Sequence, residues 1–255
     1  AKLVCQNEKI ECTGRWRAKL VLQRYMAQQQ TTVIALVKFR RDCLHWGIPQ
    51  LALRKYFVPE VPGLIFFKVL GSGYNGGFGM LPGLNYQGLC FHFNEEENAQ
   101  NFLSNNDLLK QYELRSDEFF VSVLIPYDSR GSWSGEKITV SEKAKNLGLN
   151  EEPIASLTRA SIRMRKMISF WSHTPETEGA LSDIQGCMLS VGLGEAPLLR
   201  QATFTIWENL ESLESYSKNG AHLDALRKAY QGNYFSESMF VRFRAKSMRG
   251  TWKGK

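Results

Sequence analysis

Arg130-Gly131-Ser132-Trp133 and Arg249-Gly250-Thr251-Trp252 are one four-residue phrase written twice, at an interval close to half the chain. Each follows an apolar segment that reads as a strand, Glu118–Ile125 in the first case and Ser238–Ala245 in the second. A second match lies upstream: Cys90-Phe91-His92-Phe93 precedes an acidic helical stretch, as Thr203-Phe204-Thr205-Ile206 does. Working outward from these anchors, the same order of elements appears twice.

The first copy predicts a strand over Thr31–Phe39, a helix near Cys43–Tyr56, and strands over Val61–Leu70 and Tyr86–Phe93. A helix capped by Asn94, led by Glu95-Glu96-Glu97 and running toward Tyr112, comes before the strand Glu118–Ile125. The second copy predicts a strand over Ile154–Met164, a helix over Met167–Ser182, and strands over Cys187–Gly192 and Gln201–Trp207. Helical segments Asn209–Tyr216 and Ala221–Tyr230 then lead to the strand Ser238–Ala245. The expectation is an α+β chain of tandem duplicated ferredoxin-like β-α-β-β-α-β units, whose sheets face each other as an intrachain dimeric α+β barrel. Residues 31–127 form the first unit, 128–152 a polar linker and 153–255 the second unit. Residues 1–30 are set aside as a leader outside both copies, disordered or not native, since Met26 stands just before the first strand.

Composition bounds the function. At 255 residues and 43% hydrophobic content the chain can bury a large core. No apolar run reaches the ~18 residues of a membrane span and no secretory signal opens the chain, so a soluble, cytoplasmic protein is expected. Cys5, Cys12, Cys43, Cys90 and Cys187 lack metal or redox spacing and read as reduced thiols. The net charge of +7 is concentrated in the first 25 residues, where six Lys and Arg face two Glu. The body shows no basic cluster interleaved with aromatics, so nucleic acid is not an expected partner.

His222 shares a helical arc with Ala225, Leu226 and Ala229, while Asp224, Arg227 and Lys228 take the opposite arc. An imidazole on an apolar stripe is either a core histidine bonded to main chain or a ligand to a metal or haem, and position alone leaves both open. His92, flanked by Phe91 and Phe93, lines a cavity or meets solvent, and His45 and His173 read as surface or packing residues. Absence of HxH, HExxH or a His/Cys cluster speaks against a multi-ligand metal site. Alternation along Thr158–Arg165 predicts one face shared by Arg159, Ser161, Arg163 and Arg165, either solvent-facing or set to hold carboxylates. Gly71–Gly79, with Tyr74 and Phe78, departs from phosphate-loop patterns and reads as a lid over an apolar pocket to which His92 and Trp207 also contribute.

Thr158–Arg163, Phe170-Trp171, Gly192-Leu193-Gly194-Glu195-Ala196-Pro197, Gln201–Trp207, His222 with Ala225 and Leu226, and Gly250-Thr251-Trp252 together resemble the spheroidene monooxygenase family of carotenoid-oxidising proteins. The likeness covers residues 31–252 in outline and is most specific from Thr158 onward. It implies a haem-dependent monooxygenase that places keto or hydroxyl oxygen on an apolar, carotenoid substrate with O₂ and an external electron donor. It further implies His222 as the axial ligand to haem iron, and Arg159 and Arg163 as the catalytic and haem-binding arginines, anchoring a propionate or steadying bound oxygen. Such a protein could lie at the periphery of the inner membrane. Two other readings stay open: a cofactor-free monooxygenase of the antibiotic-biosynthesis type, and a non-enzymatic carrier of an apolar ligand or of haem.

Overall fold

The computed structural model of the chain describes residues 29–53, 60–79, 81–145, 152–172, 181, 184–196, 198–218 and 231–254. Its strands are β1 Thr31–Phe39, β2 Leu64–Gly73, β3 Pro82–Phe93, β4 Ser116–Gly131, β5 Ile154–Ile162, β6 Cys187–Ala196, β7 Arg200–Trp207 and β8 Phe235–Gly250. They close into an antiparallel barrel in the order β1-β3-β2-β6-β7-β5-β8-β4. Each half therefore repeats one strand order, β4-β1-β3-β2 and β8-β5-β7-β6. The halves join along two seams, β4 with β8 and β2 with β6.

The registers obey a two-fold relation, as duplication requires. Phe120 opposite Gly250 is answered by Met239 opposite Gly131, and Leu124 opposite Ala245 by Phe243 opposite Pro126. At the other seam Gly71 meets its own counterpart, Gly194. The repeated phrase closes the two mouths of the barrel. Gly131 and Gly250 have φ of +83° and +89°, conformations open to glycine, and a Cβ on either would overlap the carbonyl oxygen of Ser238 or Phe119. The next backbone N–H, of Ser132 or Thr251, donates to that same carbonyl at 3.0 Å in each half. Trp133 and Trp252 then turn inward and are buried against the interior.

Inside the barrel, Leu36, Leu70, Phe120, Leu157, Phe204 and Phe243 belong to one apolar cluster. Outside, the first half is covered by α1 Leu44–Leu53, α2 Glu96–Asn105 and α3 Asp107–Glu113. They enclose Val33, Val37, Phe39, Phe67, Phe91 and Val121 in a second cluster. Fully burying each such side chain is worth about 1.5–3 kcal/mol. The second half carries α5 Met167–Ser172 and α6 Leu210–Lys218, and α4 Glu142–Lys145 lies in the connection between halves.

Several expected boundaries shift. β4 and β8 each have 16 residues, longer than expected, because each pairs within its own half and across the seam. Residues 128–131 therefore belong to β4. Asn94 stands one residue before the cap position, which Glu95 takes, and its side chain accepts from Asn98 Nδ2 at 2.9 Å. The single helix expected toward Tyr112 breaks at Asn106, whose Oδ1 accepts from Leu108 N–H at 2.8 Å and so caps α3. β5 ends at Ile162, which corrects the four-residue arginine face: Arg163 caps a 3-10 turn, Met164–Lys166, so Arg163 and Arg165 do not continue the face of Arg159. Cys43, Cys90 and Cys187 are buried.

Candidate functional site

Aligning the halves by register exposes an asymmetry on their outer faces. One cross-strand row reads Phe67, Phe91, Val33, Val123 in the first half and Ser190, Thr205, Ser156, Arg242 in the second. The next reads Val69, Leu89, Ala35, Val121 against Gly192, Thr203, Thr158, Phe240, and a third exchanges Phe119 for Ser238. Val33, Phe67, Val69, Leu89, Phe91 and Phe119, which pack beneath the helices of one half, are replaced by glycine and hydroxyl residues in the other. The missing volume is a hollow.

That hollow is a cavity of about 690 Å³, floored by Ser156, Thr158, Thr203 and Thr205 and walled by Leu213 and Tyr216 of α6. An apolar arm of about 340 Å³ shares Thr158, Thr203, Leu181 and Tyr216 with it. The arm runs over Gly192 and Gly194 to an opening between Ile48 and Leu51 of α1 and Phe170 and Trp171 of α5. Volumes of this size suit a small organic ligand or cofactor. The first half supplies the roof of the arm. Ser72 Oγ donates to Gly192 O at 2.5 Å, and the Gly77-Phe78 backbone lies so close over Gly192 that a Cβ there would come within 2.9 Å of Phe78 Cα. Glycine at 192 is what lets one half lie across the other.

Charge gathers at one edge of the hollow, where Arg130, Lys218 and Arg242 join Asp128. Glu214 takes a 2.6 Å hydrogen bond from Lys218 and lies 3.8 Å from Arg242, while Arg130 is 3.9 Å from Asp128. The hydrogen bond from Lys218 holds the Glu214 carboxyl below its ordinary range. Burial pushes the phenol of Tyr216 up to about 12, so this wall residue of both cavities stays neutral.

The residues singled out in the sequence divide between this site and the barrel interior. Phe78 lines the arm, half-buried, whereas Tyr74 is 68% exposed and outside the wall, so the lid is Phe78 and its backbone. Trp207 is fully buried one row behind the wall, stacked on Tyr216 at 5.2 Å with its Nε1–H donating to Thr205 Oγ1 at 2.9 Å. It braces the pocket and does not line it. His92 is corrected: it faces the barrel interior, fully buried, near Phe66. Gln30 Oε1 accepts from Thr139 N–H at 2.7 Å and from His92 Nε2–H at 3.0 Å, so Nδ1 accepts from Thr32 Oγ1–H at 2.9 Å. Burial pushes its pKa down to about 3, and the ring is a neutral structural group. His45 is exposed, as expected. His222 and His173 lie outside the described residues.

Arg159 also turns inward, 2% exposed, on the face of β5 opposite the hollow. Its guanidinium joins Glu237 at 2.5 Å and Glu195 at 3.0 Å, and Lys68 reaches Glu195 at 3.5 Å. For Glu237, burial works against ionisation, but donation from Gly135 N–H, Ser132, Ser134 N–H and Arg159 outweighs it and carries the pKa down to about 2. For Glu195, burial is likewise outweighed by Arg159 and Lys68. The expectation that Arg159 meets a propionate or bound oxygen fails on geometry: two carboxylates already occupy its fork, and the strand separates it from the cavity. Arg163 is exposed beyond the strand end and lines neither cavity. Sequence reading missed the hydroxyl floor and the acidic partners of Arg159. Its available signal was the alternation Ser156-x-Thr158, Ser190-x-Gly192-x-Gly194 and Thr203-x-Thr205, legible once the copies are set in register.

Duplicated halves, closed seams and a cavity against one outer face define an intrachain dimeric α+β barrel. An aldoxime dehydratase solved with butyraldoxime shares this fold, with a TM-score of 0.54 at 9% identity, over 86% of this chain and 80% of that one. No family model matches the chain. A spheroidene monooxygenase of Rubrivivax gelatinosus is 42% identical over 232 residues, covering 91% of this chain and 88% of that protein. One from Rhodobacter capsulatus is 31% identical over 227 residues, covering 88% and 94%. The chain belongs to the spheroidene monooxygenase family, and it is an oxidoreductase that acts as a monooxygenase.

Proposed function

We propose that the chain is a haem-dependent monooxygenase that introduces hydroxyl or keto oxygen into an apolar, carotenoid-type substrate. The hollow carries this reading. Its floor of small residues makes room for a flat cofactor, and Leu181, Leu213, Phe240 and Val241 add apolar surface. At one edge Arg130 and Lys218, 81% and 66% exposed, can turn with Arg242 from Asp128 and Glu214 to two propionates, a freedom that buried Arg159 lacks. His222 would hold the iron through its imidazole, and the three basic residues would take the anchoring role first expected of Arg159 and Arg163. Bound there, haem supplies an iron site that activates dioxygen.

The chain's own residues do the rest. The arm, through Ile48, Phe78, Phe170 and Trp171, aligns a long apolar substrate toward the hollow and excludes water from it. Each turnover leaves one oxygen atom on the substrate and the other in water, with two electrons and two protons drawn through an external donor. The free buried thiols of Cys43 and Cys90 agree with a reducing compartment, and an apolar substrate with peripheral contact to a membrane from its cytoplasmic side.

The test is the absorption spectrum of protein expressed with ample haem, followed by turnover under O₂ with a reductant. A Soret band that His222→Ala removes, together with oxygenated product, is the expected result. Colourless protein that still oxygenates a phenolic substrate would replace it with the cofactor-free reading. Stoichiometric binding without product would leave a carrier.

A further inference from the structure

We propose that the opening of the apolar arm is a docking face for an anionic lipid bilayer. The inference rests on the reading of an apolar substrate and names the surface through which that substrate arrives.

Large apolar side chains that stand in solvent are concentrated around this opening. Ile48, Leu51 and Leu53 project from α1; Tyr74, Leu81 and Leu84 from the β2–β3 hairpin; Met164 and Ile168 from the 3-10 turn and α5. Met164 is 75% exposed and Ile168 82%. Beyond these three elements, among the described residues, only Leu114 and Met188 are comparable. The three elements converge on one place, since Ile48, Leu51, Leu84, Phe170 and Trp171 all line the arm. Scattered exposed apolar residues are ordinary, but a group framing a cavity mouth marks a contact surface.

Charge identifies what it contacts. Exposed Arg163, Arg165 and Lys166 interleave with Met164 and Ile168, and Arg41 opens the corresponding turn of the first half. Among the described residues, Asp42, beside Arg41, is already 3.5 Å from Arg40. Apolar tips set among cations fit the boundary between acyl chains and anionic headgroups. A second copy docking through the same face would set these cations against themselves. Seated on a bilayer, the arm opens toward the hydrocarbon phase, and a carotenoid-like molecule passes into it without crossing water.

Sedimentation of the full chain with vesicles tests this, using phosphatidylcholine alone and phosphatidylcholine mixed with phosphatidylglycerol. Binding is expected only with the anionic lipid and is expected to weaken as salt rises. Each basic residue near the surface contributes about fivefold, so R165E/K166E should lose at least roughly 30-fold. M164S/I168S should lose at least about tenfold. Leu114→Ser, away from the face, should bind as the parent does, and melting temperatures should not change. The docking face is overturned if both double variants bind like the parent. It is equally overturned if the parent ignores vesicles and forms a dimer in light scattering that M164S/I168S dissolves. The Soret band and turnover of detergent-dispersed substrate report on the catalytic reading separately: vesicle binding without a Soret band would end the haem assignment and leave the docking face standing.

Discussion

The two halves of the barrel share strand order, register and closing tryptophans, yet they spend their outer faces differently. The first half presents Phe67, Val69, Leu89, Phe91 and Val33 to its helices and is a filled core. At the same positions the second half presents Ser190, Gly192, Thr203, Thr205 and Ser156, and keeps a cavity. The difference teaches that one half of a duplicated fold can carry stability while its twin is hollowed for a ligand. The interiors diverge as well. Arg159, inside the second half, takes the register position of Leu36, and His92, inside the first, takes that of Ile206, one residue along from the Thr205 that the sequence match sets beside it.

The largest effects should come from breaking what each half relies on. Phe91→Thr imports the second half's choice into a packed core and should cost about 3–5 kcal/mol, whereas Thr203→Ala on the hollow floor should stay under about 1 kcal/mol. Arg159→Ala strands Glu195 and Glu237 beside each other in the barrel and should also cost about 3–5 kcal/mol, with Glu195→Gln added to it recovering part of the loss. Denaturant midpoints measure both. Equal costs for Phe91 and Thr203 would show the halves to be packed alike.

Filling the hollow sharpens the comparison from the other side. S156V/T203L gives the second half the side chains of the first at two floor positions and leaves Thr205 to accept from Trp207. Binding of haem, followed by its absorption, should fall about 100-fold or more, a change of about 2.7 kcal/mol, with a stability change no larger than the 1–3 kcal/mol of ordinary overpacking. Undiminished binding would place the ligand elsewhere.

Duplication was legible because it rests on local patterns: the run of Val, Ile and Leu in Thr31–Phe39, the acidic helix after Phe93, and a glycine at 131 and 250 that the mouth-closing turn demands. The site was less legible because strand alternation tells which residues share a face, but not which face is inside. Arg159 illustrates the point. Its strand was correctly read, yet whether the guanidinium met the cavity or the interior depended on Glu195 and Glu237, which are 36 and 78 residues away in sequence. His92 was misplaced for the same reason. Phe91 and Phe93, its flanks, form the outer core, which sends the imidazole inward.

His92 provides the subtlest test, through pH. Burial lowers its pKa from 6.5 to about 3, so below pH 6.5 the unfolded chain takes up a proton that the folded protein refuses. Stability is therefore complete above pH 6.5 and is lost as pH falls from there toward 3, by about 2 kcal/mol at pH 5. The second half meets the same cross-strand position without a titrating group, pairing Ala155 with Ile206 where the first half pairs Thr32 with His92. H92I/T32A transfers that solution. Both hydrogen-bonding partners leave together, so the cost at pH 7 should be small. Gln30 Oε1 keeps the N–H of Thr139. Denaturant midpoints at pH 7 and pH 5 should then lie closer together in the variant than in the parent. An unchanged gap would mean that the acid sensitivity of the barrel resides in other groups, Glu237 with its pKa of about 2 being the first to examine.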